Sequence, residues 1–203
     1  MLIHSLKLKN WMIFRGDQEL KFADGNSNIT LIFGENMHGK TSLLNSIRWA
    51  SYEKALNRQG KQIPVYDLLN KDASRSGETN LEVLLTFTVD GKEYEIRRSI
   101  EFDDSSSSIR KYLKIDGRAI DGGKIERTIE ALLPEQISQF MLFDGELLNQ
   151  FESLVVASES LQANGIKNAI EDTLGIPILK RAETATDRVL KDLMRSRNEE
   201  LQK

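Results

Sequence analysis

The chain contains no cysteine and only two histidines, His4 and His38. The first absence excludes disulfides and thiolate metal sites and fits a reducing cytosol. The second excludes a multi-histidine metal centre. No run of about 18 apolar residues occurs, which leaves no transmembrane helix. The N-terminus, "MLIHSLKLKNWMIF", alternates apolar and polar residues where a signal peptide would be continuously apolar. A cytoplasmic protein with no membrane partner is therefore expected. Excess positive charge is missing as well: 28 Lys and Arg against 31 Asp and Glu leave a net charge of −3, so DNA would have to meet a local patch or a partner. What remains is a 203-residue chain, 39% hydrophobic and 29% charged, enough for one domain with an appendage.

Period-two alternation marks residues 2 to 9 ("LIHSLKLK") and 18 to 22 ("QELKF") as short strands. "ITLIF", Ile29 to Phe33, is continuously apolar and predicts a strand buried on both faces. From Thr41 the spacing of Leu43, Leu44, Ile47 and Ala50 predicts a helix that ends before Gly60. "KQIPVYDLLNKDASRSGETN" reads as a connection with one short helical turn. Two hairpins follow around Asp90-Gly91 and Asp116-Gly117, an antiparallel insertion spanning about 80–120, with Ser105 to Ser108 as a flexible tip. "KIERTIEALLP" predicts a short amphipathic helix, and "EQISQFMLFDGELLNQF" a strand-like apolar core entering Asp144-Gly145-Glu146. Residues 166–203 read as a helix broken by Gly175 and Pro177. Beyond the proline, Leu179, Ala182, Thr186, Val189, Leu193 and Ser196 form a weak heptad seam, either an exposed helix or the root of a coiled coil. The pattern ends without a capping signal, so a longer protein is expected.

The motif with chemical content is GENMHGKT, Gly34 to Thr41, which fits G-x-x-x-x-G-K-[ST]. Gly34 lets the chain leave a strand and turn. Backbone amides of Met37, His38, Gly39, Lys40 and Thr41, at the positive end of a helix, suit phosphate oxygens. Lys40 is placed for the β- and γ-phosphates and their transition-state charge, and Thr41 for Mg²⁺. The loop therefore predicts an ATP and Mg²⁺ site comprising Gly34, Asn36, Met37, His38, Gly39, Lys40, Thr41 and Ser42. Glycine is common where Met37 stands, but the motif leaves that position free and needs only its amide.

"LKLKNW", "ITLIFGEN" and "GKTSLLNSIRWA", in this order, resemble the N-terminal lobe of SMC-like DNA ATPases, closest to the SbcC, RecN and DndD-like branch. "VYDLLN", the "TFTVDGKEYEIRRSIEF" hairpin with Tyr94, Ile96 and Arg97 or Arg98, "QFMLFDGELLNQF" and "IEDTLGIPILKRA" extend the likeness over the whole chain. The resemblance implies an α/β P-loop lobe at 1–165, with inserted antiparallel hairpins, and a helix at 166–203 leading into a coiled coil. The family's Q-loop would fall at about 140–146, making Asp144 the second Mg²⁺ ligand; the competing reading is the turn chemistry of an Asp-Gly pair. Relatives use a basic residue after the first strand. Met12 stands at that place, so Arg15 becomes the candidate nucleotide contact, against a solvent-facing loop arginine. Trp11 and Phe14 are candidates for the adenine side or for core. Arg97, Arg98, Arg110, Lys111 and Lys114 could touch DNA phosphates, but the interleaved Glu93, Glu95, Glu101, Asp103 and Asp104 favour a solvated mixed-charge face.

No four-residue apolar run followed by Asp-Glu occurs after the loop, and nothing resembles Leu-Ser-Gly-Gly. In the resembled family both lie in a C-terminal lobe that returns after the coiled coil, and hydrolysis needs a second head. The expected partners are thus that C-terminal lobe, a second head in a homodimer, DNA, and an effector or nuclease subunit. The expected role is DNA repair or anti-phage defence, the fragment alone binding ATP but scarcely hydrolysing it. Alternatives are a RecF-like or OLD-type ATPase without a long coiled coil, a transporter-type ABC ATPase, or a regulatory module without turnover.

Overall fold

In the computed structural model, the residues described are 1–23, 25, 29–35, 38–103, 106–135, 138, 141–142, 185–186 and 188. Contacts divide the chain into two units, Met1–Glu146 and Leu147–Lys203. In the second, Ala185, Thr186 and Arg188 are helical and exposed. The Q-loop candidate Asp144 and almost all of the heptad seam lie outside the described residues.

The first unit is built on an antiparallel sheet. Strands β1 (Leu2–Trp11) and β2 (Phe14–Lys21) form a hairpin. β3 (Asn80–Val89), β4 (Lys92–Asp103), β5 (Ser106–Ile115) and β6 (Arg118–Ala119) continue the same sheet from the free edge of β1, in the order β2-β1-β3-β4-β5-β6. Both Asp-Gly pairs adopt the left-handed conformation that primed hairpin turns need, with φ of 49° and 76° at Asp90-Gly91 and 49° and 75° at Asp116-Gly117. Within the serine-rich stretch Ser106, Ser107 and Ser108 are not a loose tip but pair with Asp103, Phe102 and Glu101, while Ser105 lies outside the described residues. Pairing along the backbone satisfies the serines' amides and carbonyls whatever their side chains prefer.

Alternation decides the core. On β4, Tyr94, Ile96, Arg98 and Ile100 are buried on one face, while Glu95, Arg97, Ser99 and Glu101 take the other. Helix α1 (Lys40–Tyr52) lies on that buried face against β1, β3 and β4. Trp11 and Trp49 meet there with ring centroids 5.2 Å apart, among Leu6, Leu85, Ile96 and Ile100. After α1 come a 3-10 turn (Val65–Leu68) and helix α2 (Lys71–Arg75), whose N-terminal amides at Asp72 and Ala73 are accepted by the Asn70 side chain. Helix α3 (Ile125–Leu132) buries Ile125 and Ile129, one turn apart.

Two elements differ from the expectation. Residues 29–35 form no strand, and Ile29, Leu31, Ile32 and Phe33 are exposed, Phe33 at 88%. A run apolar on both faces needs neighbouring strands and cover on either side. None of the described strands pairs with it. The stretch after Pro134 is helical where described, at Glu135, Ser138 and Met141, not strand-like. Ser138 N–H donates to Pro134 O and Leu142 N–H to Ser138 O, so the buried Ser138 and Leu142 share one face. Proline opens such a helix without loss, having no amide to leave unpaired.

Arg98 is the one charge in the core face of β4 and caps the far end of α1. Its Nε donates to Ala50 O (2.6 Å) and its Nη2 to Ser51 O (3.0 Å), while Nη1 pairs with Glu53 and, at 3.3 Å, with Glu126. A cation on the last carbonyls of a helix complements its dipole. Lys111 adds contacts to Glu126 (2.6 Å) and Glu53 (3.1 Å), tying β5, α1 and α3 together.

Candidate nucleotide site

The loop Gly34–Thr41 is closed by its own lysine. Lys40 Nζ donates to the carbonyls of Gly34 (2.7 Å) and Glu35 (2.8 Å), and His38 N–H donates to Glu35 O (3.4 Å). Gly34 and Glu35 at one end of the motif and Lys40 at the other are thereby held together at the ammonium. α1 begins at Lys40 with Gly39 as its N-cap in the left-handed conformation (φ 95°, ψ 8°). Gly39 offers no side chain to cap this terminus, and the first turn carries no acidic residue. The positive end of α1 thus faces the loop, an arrangement that suits an anion.

A second element presses on the loop. A Cβ built on Gly39 would lie 2.5 Å from Ile13 Cδ1 and 2.8 Å from Phe14 Cζ, so glycine is needed both for its φ and for the approach of the β1–β2 turn. That turn is held by two asparagines with no sequence signature. Asn10, fully buried, donates from Nδ2 to Glu78 Oε2 (2.7 Å) and Asn80 O (3.2 Å), and its Oδ1 accepts from Gly16 N–H (2.8 Å). Asn70 donates from its backbone to Asn10 O and from Nδ2 to Met12 O, both at 2.8 Å. Positive φ at Asn10 (50°) and Met12 (51°) then aims Ile13 and Phe14 at Gly39.

The remaining candidates fall as follows. Thr41 follows Lys40 on the first turn and is half-buried; Ser42 is buried, and its carbonyl accepts the Trp11 indole N–H at 2.8 Å. Trp11 is fully buried against Trp49, so it is core and not an adenine-lining side chain. Phe14 is half-buried beside Gly39. Arg15 is exposed and donates to Ser76 Oγ at 2.9 Å, away from the loop's own hydrogen bonds. Asn36, Met37 and Asp144 lie outside the described residues.

Of the basic residues weighed for DNA, Arg98 is 1% exposed and cannot reach a phosphate. The others sit in ion pairs on the sheet: Arg97 with Glu82 (3.7 Å), Arg110 with Glu101 (3.7 Å), Lys111 with Glu126, and Lys114 with Glu95 (3.2 Å). Period two alone could have flagged Arg98, since it shares the face of Tyr94 and Ile96.

The residues suit an anion more than a cation. Among the described residues no group of three His, Cys, Asp or Glu side chains could hold a metal. A Mg²⁺ at this loop would therefore depend on phosphate oxygens, the Thr41 hydroxyl and a carboxylate from elsewhere. The cavity beside Lys40 is about 180 Å³ and apolar, lined by Leu20, Phe22, Ile32, Leu43, Leu44 and Ile47. It is too small and too apolar for a nucleotide, for which pockets of roughly 300–1,000 Å³ are usual, so it belongs with the exposed 29–33 run and not with the phosphates.

The AAA domain family AAA_23 matches residues 5–203. The chain belongs to this family. It is the α/β N-terminal P-loop lobe of an SMC-like ATPase head. It is also similar to the DNA double-strand break repair Rad50 ATPase of Thermoplasma volcanium, 31% identical over 123 residues, and to that of Thermoplasma acidophilum, 30% identical over 120 residues. These matches cover 61% and 59% of this chain and 12% of each relative, so the chain spans about an eighth of their length. No helix among the described residues is long and apolar enough to cross a membrane.

Proposed function

We propose that residues 34–41 bind the phosphates of Mg²⁺-ATP and that the chain is the ATP-binding half of a DNA-associated, SMC-like ATPase acting in DNA repair or phage defence. The observation that carries this reading is the loop: a lysine-closed turn ending in a left-handed glycine, which offers no side chain to cap the helix N-terminus, before a first turn with no acidic residue.

Each residue has a role in it. Gly34 and Gly39 supply the two backbone turns, and the amides of Met37 to Thr41 would face the phosphates. On binding, the Lys40 ammonium exchanges the Gly34 and Glu35 carbonyls for β- and γ-phosphate oxygens, leaving its stem where it already lies. Thr41 and Asp144 would hold Mg²⁺, which when bound would supply positive charge against the phosphate oxygens. Arg15 reaches the nucleotide only by giving up Ser76. Hydrolysis is assigned to a complete head, with a C-terminal lobe of the same protein and a second head across a homodimer; the lack of an Asp-Glu and a signature motif after the loop supports this reading. The exposed Ile29–Phe33 run and the apolar cavity beside Lys40 support a lobe that covers them. The names of the two relatives favour repair on duplex DNA over the transporter reading; an effector or nuclease subunit and a cytoplasmic site complete the proposal.

The test is equilibrium binding of a fluorescent ATP analogue to the complete protein. Saturable binding that Lys40→Ala weakens by at least about 100-fold is expected, since the charged group contacting phosphate is lost without removing buried bulk. Equal affinity in both proteins would remove the loop from the site.

A further inference from the structure

Asn70 does two things with one side-chain amide. Its Oδ1 caps α2, accepting from the Asp72 and Ala73 amides at 3.1 and 3.0 Å, while its Nδ2 donates to Met12 O at 2.8 Å. An ionised aspartate would cap the helix as well but has no hydrogen to give Met12. The amide therefore adds to the cap a grip on the β1–β2 turn. The neighbouring backbone strengthens it: Met12 N–H donates to Leu68 O (2.7 Å) and Asn70 N–H to Asn10 O (2.8 Å). Both backbone groups of Met12 are thus held by residues 68 to 70.

The grip fixes a side chain that burial alone would not. Ile13 is 50% exposed, yet the left-handed Met12 (φ 51°) turns it onto Gly39, where a Cβ would lie 2.5 Å from Ile13 Cδ1. Gly39 is the N-cap of α1 and directly precedes Lys40. A line of contacts therefore runs from Asn70 through Met12 and Ile13 to the backbone that carries the lysine. We propose that Asn70 is a positioning residue for the phosphate contact of Lys40: through Met12 it holds Ile13 against Gly39, and so keeps the left-handed turn from which Lys40 and α1 start. A turn held in the competent conformation before the ligand arrives binds more tightly than one that visits it part of the time. The inference rests on the reading of Lys40 as a phosphate contact.

The experiment uses the complete protein and inorganic tripolyphosphate, displacing a fluorescent ATP analogue, with thermal unfolding measured beside it. Tripolyphosphate has neither base nor sugar and reads the phosphate contacts alone. Asn70→Asp keeps the cap and loses the donor to Met12. It is expected to weaken tripolyphosphate about ten-fold, the order of shift that one hydrogen bond can supply. Ala73→Gly loosens α2 without touching the grip. It should lower the melting temperature and leave the affinity within about two-fold of the parent, as for an independent site. In a protein already carrying Ile13→Ala, Asn70→Asp should add little, because both act through one contact. The inference is overturned if Lys40→Ala weakens tripolyphosphate and Asn70→Asp does not, if Ala73→Gly weakens it as much as Asn70→Asp, or if Asn70→Asp and Ile13→Ala add in full. Undiminished binding in Lys40→Ala overturns the phosphate reading, and the inference with it. If Asn70→Asp does not fold, Asn70→Ser, a shorter cap, is measured in its place; failure of both to fold makes Asn70 a residue of the fold only and also overturns the inference.

Discussion

At Gly39 the fold admits a hydrogen and nothing larger. A methyl there meets Ile13 and Phe14 and forces a φ of 95° on an L-residue, so Gly39→Ala should cost about 1–3 kcal/mol of stability and weaken ATP binding. Thermal unfolding and analogue binding would show it. The double variant Ile13→Ala/Gly39→Ala should recover only part of the loss, because it clears the contact but leaves the backbone strain; full recovery would mean that φ is immaterial. The glycine was legible in the motif, whereas the reason it is packed so tightly was not. That reason lies in Asn10 and Asn70, whose backbones hydrogen-bond across 60 positions and which carry no periodicity to betray them.

At the scale of elements, α1 is held at both ends: Lys40 on the Gly34 and Glu35 carbonyls, and Arg98 on Ala50 and Ser51. Arg98→Met leaves Glu53 and Glu126 without their buried partner and should destabilise the lobe by about 3–5 kcal/mol in denaturant unfolding. Glu126 gives the cap a pH signature. Burial pushes its carboxyl up, but the hydrogen bond from Lys111 and the charges of Arg98 and Lys111 outweigh that and hold it below its ordinary 4.5. With the folded value depressed, the contribution is present at neutral pH and is lost as pH falls below about 4.5 toward the folded value. The melting-temperature deficit of Glu126→Gln should therefore be visible at pH 7 and shrink below that range; a deficit constant with pH would contradict the ion-pair account. The strands, α1 and both Asp-Gly turns were legible because alternation and turn chemistry are local. Ile29–Phe33 was misjudged because its apolar pattern speaks of partners that the described strands do not supply. The 135–142 stretch was misjudged because a short apolar run fits either period, and only Ser138 and Leu142 sharing a face decides it.

The chain as a whole is one lobe of an SMC-like ATPase head. The chain spans 12% of the relatives it matches, carries the phosphate loop, and has neither an Asp-Glu nor a signature motif. Its exposed Leu31 and Phe33 should make residues 1–203 by themselves prone to self-association. Leu31→Ser/Phe33→Ser should relieve that in light scattering while impairing turnover of the complete protein. Improved solubility with undiminished turnover would detach this face from the head's assembly. The most direct measurement is ATP turnover by the complete protein without DNA, with linear duplex and with closed circular duplex, using Lys40→Ala as the blank. Turnover that DNA stimulates and Lys40→Ala abolishes is the predicted result, and a preference for linear duplex would indicate recognition of ends. Lys40-dependent turnover indifferent to every form of DNA would contradict the DNA-associated reading.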